Sequence, residues 1–335
     1  MKTDASFISG YMNTGNQSIP IIKSQLSPRD HLGSVAVRLG YSRGNYMVEP
    51  GLYALGKPGA FSPVIVTANY KLTVDIVRRD LNRQNLWILV IDTAGINVWC
   101  AAGKGTFGTQ NIAKWILKSG LNDIVKHRRL ILPQLGATGV AAHTLQKQTG
   151  WIIQYGPVRS RDLPAFLKGE ETPPMRTVSF NFFERLILIP VEIYTGLKFM
   201  LITLSATFFY EVLLYLVRGK FHFTTIASVM VGFIAGTIFV PLLLPVLPSR
   251  YFFVKGFFAA VSLWIPFVLM LNPDLFTAIS SLFIAGSISS FLAFNFTGAT
   301  TFTSLAGVRY EIRAALPFAM VLMISGLITI FFVRS

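Results

Sequence analysis

The second half of this chain is a succession of apolar runs, each close to the length that crosses a bilayer. They cover residues 197–217, 224–247, 252–272, 274–294 and 314–333, and about 20 apolar helical residues span the hydrocarbon core. Lipid offers no partner to a backbone N–H or C=O, so runs of this kind must be helices. Five spans are expected, with the short LNPD between the third and fourth making a tight hairpin. Charge follows the same division: residues 1–182 carry 21 Lys and Arg against 10 Asp and Glu, and residues 183–335 carry 9 against 5. The sequence therefore reads as a mobile N-terminal arm (1–30), a polar domain (31–170), a linker marked by the prolines of EETPPMRTV (171–183) and a transmembrane domain (184–335).

The opening MKTDASFISGYMNTGNQS lacks the apolar centre of a signal peptide. The expected placement is a multi-pass protein of the cell inner membrane with its first domain in the cytoplasm. The loops bearing Arg250, Lys255, Arg309 and Arg313 then face inward, and Arg218, Lys220 and Arg334 face outward, a weak positive-inside bias. RLILIPVEIY reads as an interfacial helix or as the start of the first span. Glu192 and Glu211 are the carboxylates that could lie at membrane depth, where an ionisable group is a functional candidate. The polar run NFTGATTFTS before the last span reads either as a loop that meets the first domain or as a solvated connector.

A surplus of 11 positive charges on the first half suits contact with an anionic lipid bilayer or with an acidic redox partner. Nucleic acid is not an expected partner, because the basic residues form no stripe with interleaved aromatics. A single cysteine excludes an internal disulfide. It also excludes an iron–sulfur cluster or a Cys-rich zinc site held by this chain alone.

Residues 31–60 are rich in Gly, Pro and Tyr and read as an irregular wrap. Strands and helices alternate after them. SPVIVTANY, LWILVIDT, HRRLILPQLG and WIIQYGPV read as strands, separated by the helical patterns KLTVDIVRRDLNRQ, QNIAKWILKSGL and TGVAAHTLQKQTG. DLPAFLKGE reads as a last small helix. Buried strands alternating with helices imply an α/β Rossmann-like domain, a parallel sheet with helices on both faces. Ligands of such sheets sit on the loops after the strands. Here those loops are VTANYK, DTAGINVWCAAGKG and PQLGATG.

The middle loop holds the one cysteine, in NVWCAAGKGTFGT. Gly103, Gly105 and Gly108 make a G-x-G-x-x-G run, but it does not follow a strand directly and no acidic residue stands where a dinucleotide site needs one. No P-loop pattern is present. Asn97 is a good N-cap, which starts a short helix at Val98 and puts Cys100 in its first turn. The positive helix end, with Lys104 on the same face, favours thiolate there. Gly103 and Gly105 limit the helix to little more than a turn. A lone thiolate does not close a metal site, but it serves as one axial ligand to a metal held by a macrocycle.

NVWCAAGK resembles the cap-helix signature of the HgcA family, mercury-methylating membrane proteins related to the corrinoid domain of the corrinoid iron–sulfur protein. The likeness extends through PGLYALGKPGAFSPVIVTANYKL, HRRLILPQLGATGVAAH and YGPVRSRDLPAFLKG, and through the five-helix membrane half with FNFTGATTFTSLAGV. The resemblance implies a corrinoid, a cobalt cofactor of the cobalamin type, with Cys100 as axial cobalt ligand and catalytic residue. It implies corrinoid contacts from Asn97, Val98, Trp99, Ala101, Ala102, Gly103, Lys104, Gly105 and Thr106, where the small alanines let the corrin approach. Trp99 reads equally as packing for the lid. From the other two loops, Thr67, Ala68 and Asn69, and Gly136, Ala137 and Gly139, are expected to contribute. The D-x-H-x-x-G run of other corrinoid domains is absent, and His127 and His143 read as structural or surface residues.

The implied reaction is a methyltransferase reaction: methyl transfer from the corrinoid cobalt to mercury(II), giving methylmercury. A thiolate donates electron density to the metal, which favours release of the methyl group as a carbanion or radical equivalent. Implied partners are a methyl-folate-dependent methyl donor protein and a small HgcB-type ferredoxin with two 4Fe–4S clusters. The alternative is a corrinoid methyl carrier of acetyl-CoA metabolism.

Overall fold

The computed structural model describes residues 6–14, 17–297 and 305–332. Its compact units are residues 1–37 with 41–179, and residues 38–40 with 180–335.

In the first unit, chain order is β1 (Ile8–Thr14), β2 (Gln17–Ile22), α1 (Pro28–Arg38), β3 (Gly51–Leu55), β4 (Val64–Ala68), α2 (Lys71–Asp80), β5 (Leu86–Ile91), α3 (Val98–Lys104), α4 (Thr109–Lys118), α5 (Leu121–Ile124), β6 (Arg129–Leu132), α6 (Ala142–Thr149), β7 (Ile152–Tyr155) and α7 (Leu163–Leu167). The seven strands form one mixed sheet in the order β1-β2-β3-β5-β4-β6-β7. Strands β5, β4, β6 and β7 are parallel, β3 runs antiparallel to β5, and β1 antiparallel to β2.

Every residue of β4 and β5 is buried, as required of central strands covered on both faces. Their period of two feeds separate cores. Val66, Leu89 and Ile91 pack with Ile112, Trp115 and Ile116 of α4. Ile65, Ile88 and Val90 pack with Val74, Val77 and Phe166. The chain leaves β4 for β5 on one side and then crosses back to β6 on the other. Right-handed crossovers in opposite directions put α2 and α4 on opposite faces. The strand order thus reverses between β4 and β6, where sheets of this class open a crevice at the strands' carboxyl ends.

The N-terminal segment differs from the mobile arm expected of it. Strands β1 and β2 pair antiparallel and extend the sheet beside β3, with Phe7, Ile19 and Ile22 buried; residues 1–5 and 15–16 lie outside the described residues. The expected irregular wrap likewise contains α1 and β3. Helix α1 is joined to α2 by four buried charges: Lys71 Nζ lies 2.6 Å from Asp30 and 2.8 Å from Asp75, and Arg78 lies 2.8 Å and 2.7 Å from the same carboxylates. Burial raises the proton affinity of Asp30. The hydrogen bonds from Lys71, Ser27 and Arg78 outweigh that and hold its carboxyl far below the usual range.

The second unit is helical: α8 (Phe182–Leu186), α9 (Ile189–Arg218), α10 (Phe223–Ile234), α11 (Val240–Leu243), α12 (Phe252–Leu271), α13 (Leu275–Phe296) and α14 (Leu305–Phe331). Among the described residues, five helical segments are long and apolar enough to cross a membrane. RLILIPVEIY leads into the first of these, with Pro190 in the opening turn of α9, where its missing N–H costs nothing. A π-turn at Ala235–Phe239 joins α10 to α11. Helix α13 is the most buried, and its serines bond to neighbouring backbones: Ser280 to Gly326 O, Ser287 to Ala319 O and Ser289 to Gly256 O, at 2.6–2.8 Å. Small residues permit that approach: a Cβ on Gly256 would stand 2.7 Å from Ser290 Cα.

Glu211 is fully buried, and its Oε2 accepts the His222 N–H at 2.8 Å. Glu192 lies in the first turn of α9. Two further buried charges bond to the backbone: Glu311 accepts the Phe252 N–H, and Lys255 donates to Leu244 O and Leu247 O. Most of NFTGATTFTS, residues 298–304, lies outside the described residues.

Candidate functional site

Three loops leave the carboxyl ends of β4, β5 and β6, which are adjacent in the sheet. The loop after β5 carries α3. Asn97 caps that helix, its Oδ1 accepting the Cys100 N–H at 2.9 Å, as its residue type and position predict. Gly105 ends it at φ +82°, a left-handed C-cap. The helix is two turns at most. Val98, Ala101 and Ala102 are buried beneath it, whereas Trp99 and Cys100 are half-buried and Gly103 and Lys104 exposed. One face therefore presents a free thiol flanked by an indole, a glycine and a lysine.

The underside of α3 fits closely onto the loop after β6. The Phe107 N–H donates to Ala101 O at 3.0 Å, and the Phe107 ring is fully buried. A Cβ on Gly139 would overlap the Phe107 carbonyl oxygen and lie 3.0 Å from Ala102 Cα; one on Gly136 would lie 2.6 Å from the Phe107 ring. Glycine is required at both positions by close approach. Ala101 and Ala102 are small for the same reason. They seat the lid and do not lie on its presented face, which differs from the role expected of them in admitting a corrin. Thr106 reaches back to Ala101 O at 3.4 Å, and Ala137 is half-buried in the loop after β6.

The loop after β4 also acts from within. Thr67, Ala68 and Asn69 are all buried. Asn69 Oδ1 accepts the N–H groups of Thr93 and Gly95 at 3.0 Å and the Thr93 hydroxyl at 2.9 Å. Its Nδ2 donates to Asp92 Oδ1 at 3.2 Å. Asn69 thus holds the backbone that enters α3, and the structure gives it this in place of the direct contact expected.

Asn111, which sequence reasoning did not single out, holds the other end. Its Nδ2 donates to Asp92 O at 2.6 Å and Thr106 O at 2.7 Å, tying the entry of the lid to its exit. No local pattern marks it, because both acceptors are backbone carbonyls that only the folded loop brings together.

Gly103 lies inside α3, Gly105 ends it and Gly108 caps α4. The G-x-G-x-x-G run therefore straddles two helices and makes no strand–turn–helix phosphate site. His127 is structural as expected: Nε2 donates to Ser62 O at 2.9 Å and Nδ1 accepts the Arg129 N–H. His143 is exposed beside Thr144. Among the described residues, no three His, Cys, Asp or Glu side chains gather where they could hold a metal ion by themselves.

The family described as CO dehydrogenase/acetyl-CoA synthase delta subunit (CdhD) matches residues 42–167. That range contains β3 to β7 and the whole lid. The acetyl-CoA decarbonylase/synthase complex subunit gamma of Methanopyrus kandleri is 38% identical over 125 residues, 37% of this chain and 27% of that protein. The corrinoid/iron–sulfur protein large subunit of Moorella thermoacetica is 33% identical over 123 residues, 36% of this chain and 27% of that protein. This chain thus spans about a quarter of the length of the curated relatives it matches. Residues 42–167 are thus similar to the CdhD family and to part of the corrinoid/iron–sulfur protein large subunit, and in this chain they are followed by five helices long and apolar enough to cross a membrane.

Proposed function

We propose that this chain is a corrinoid-dependent methyltransferase in which Cys100 is the axial ligand to cobalt and mercury(II) accepts the methyl group. The observation that carries the reading is the thiol on the outer face of a capped, glycine-ended lid, above loops at the carboxyl edge of the sheet. The donor set fits a corrinoid. A lone sulfur, with no cluster of metal-ligating side chains among the described residues, suits a metal held chiefly by a macrocycle. Trp99 offers a flat apolar surface beside the sulfur, and exposed Gly103 leaves room for close approach.

When bound, a corrinoid supplies a cobalt that takes up and gives up a methyl group. The chain's own residues hold and tune it. The Asn97 cap fixes the Cys100 backbone, the Asn69 and Asn111 clamps fix both ends of the lid, and Lys104 adds positive charge four residues from Cys100. A sulfur ligand from Cys100 would raise electron density on the cobalt, which would suit methyl transfer to a soft electrophile. Mercury(II) is assigned because residues 97–104 resemble the Trp-Cys cap of the mercury-methylating family. A ferredoxin partner with two 4Fe–4S clusters, a methyl-folate-dependent donor protein and an inward-facing first unit belong to the same reading.

The names of the matched relatives favour a second reading, a methyl carrier for acetyl-CoA synthesis. Anaerobic reconstitution of the full chain with cobalamin distinguishes the two. Wild type with the ferredoxin and the methyl-folate-dependent donor protein, which supplies the methyl group, is expected to convert mercury(II) to methylmercury, and Cys100→Ala to lose that activity by about a hundredfold or more while retaining some corrinoid. Methyl transfer to an acetyl-CoA synthase without methylmercury formation would replace the first reading with the second. Undiminished activity in Cys100→Ala would reject the ligand role.

A further inference from the structure

The positive charge of the first unit is concentrated in one stretch. Residues 93–161 carry nine Lys and Arg against a single acid, Asp123, whereas the remainder of residues 1–182 carries 12 against 9. Helices α4 and α6, both within that stretch, contain no acidic residue and pack side by side against the same core. Between them runs a groove of about 770 Å³ lined by Gln110, Lys114, Leu117, Lys118, Gln148 and Thr149. Leu117 is 64% exposed, an apolar side chain between two lysines. Lys118 Nζ sits 4.5 Å from the Trp115 ring centre, which restrains its long side chain.

We infer that this α4–α6 groove docks an acidic protein segment that brings an apolar side chain onto Leu117. The inference does not depend on the corrinoid reading. The lysines supply charge complementarity without like-charge competition, and the glutamine and threonine side chains offer hydrogen bonds along the groove. An exposed leucine set between two lysines, with glutamine and threonine beside them, matches the apolar and acidic positions that alternate along an amphipathic helix. Helix α4 runs back from the carboxyl edge of the sheet, so a partner in the groove leaves the Trp99–Cys100 face of α3 open.

The test uses the full chain in nanodiscs of neutral lipid and a fluorescein-labelled amphipathic peptide of Glu and Leu at helical spacing, read by fluorescence anisotropy. Wild type is expected to bind, more weakly as salt rises. The double variant Lys114→Glu/Lys118→Glu should raise Kd at least about tenfold. Leu117→Ser should weaken binding without altering its salt dependence. The variant Lys126→Glu/Arg129→Glu, with the same charge change outside the groove, should alter Kd less than about threefold. Circular dichroism should be unchanged throughout, since all five side chains are exposed. Failure of wild type to bind the peptide overturns the inference, as does equal weakening by both double variants. Binding to phosphatidylglycerol vesicles in place of the peptide, abolished by the groove reversals, overturns it in favour of a lipid surface.

Discussion

Cys100 is held by its backbone rather than by its side chain. The Asn97 carboxamide takes the Cys100 N–H, and the sulfur is left free on the outer face of α3. Asn97→Ala should therefore cost about 1 kcal/mol of stability in the first unit, the usual value of an N-cap. Because α3 has only seven residues, that loss should fall mainly on the lid. The expected result is a small drop in melting temperature with a larger loss of corrinoid affinity, measured by equilibrium dialysis of the reconstituted chain. Both the cap and the residue it serves are legible in the sequence, because an N-cap is a contact between residues three apart. The glycine stop is legible for the same reason.

At the scale of elements, the lid is seated by shape. Gly139→Ala would push a methyl group into the Phe107 carbonyl and the Ala102 backbone. The lid must then shift or the loop after β6 must open. Overpacking of this kind costs about 1–3 kcal/mol, and hydrogen exchange of the Ala101 and Ala102 amides should speed up relative to those of β4 and β5. Unchanged exchange would show that the loops do not bear on one another. This seat was not legible in the sequence, since Ala102 and Gly139 are neighbours only after the chain has crossed β6. The same limit hid Asn111 and turned Asn69 from an expected ligand contact into a clamp.

Strands β4 and β5 were legible because unbroken apolar runs flanked by turn residues leave little else. Strands β1 and β2 were not, because a half-exposed edge pair alternates polar and apolar residues and resembles a flexible arm. Strand β3 is five residues between Pro50 and Gly56, too short to stand out in a Gly- and Pro-rich stretch. Helix α1 did leave a local mark. Ser27 and Asp30 exchange bonds, N–H to Oδ2 at 2.8 Å and N–H to Oγ at 3.2 Å, the pattern of a capping box.

At the scale of the whole molecule, the buried charges predict how the first unit responds to acid. The folded state holds the Asp30 carboxyl below its ordinary 3.8. A lowered carboxylate contributes stability that is fully present above the unfolded value and is lost as pH falls towards the folded one. Melting of the first unit should therefore be insensitive to Asp30 near neutrality and fall progressively below about pH 4. Asp30→Asn should flatten the acid limb while lowering stability at pH 7, because Lys71 and Arg78 then share one carboxylate. An unaltered acid limb in that variant would move the acid sensitivity elsewhere.

The helical second unit carries its buried polar groups differently. Ser280, Ser287, Ser289, Lys255 and Glu311 all bond to backbone atoms of other helices or of the loops between them. They fix helix against helix, and the chemistry proposed for the chain resides in the first unit.

That chemistry rests on one bond, between the Cys100 sulfur and cobalt. Cobalt X-ray absorption of the full chain reconstituted with cobalamin measures it directly. The account predicts a sulfur neighbour to cobalt in wild type that is absent in Cys100→Ala. A cobalt bound only by nitrogen and oxygen in wild type, with a spectrum the substitution does not change, would contradict it.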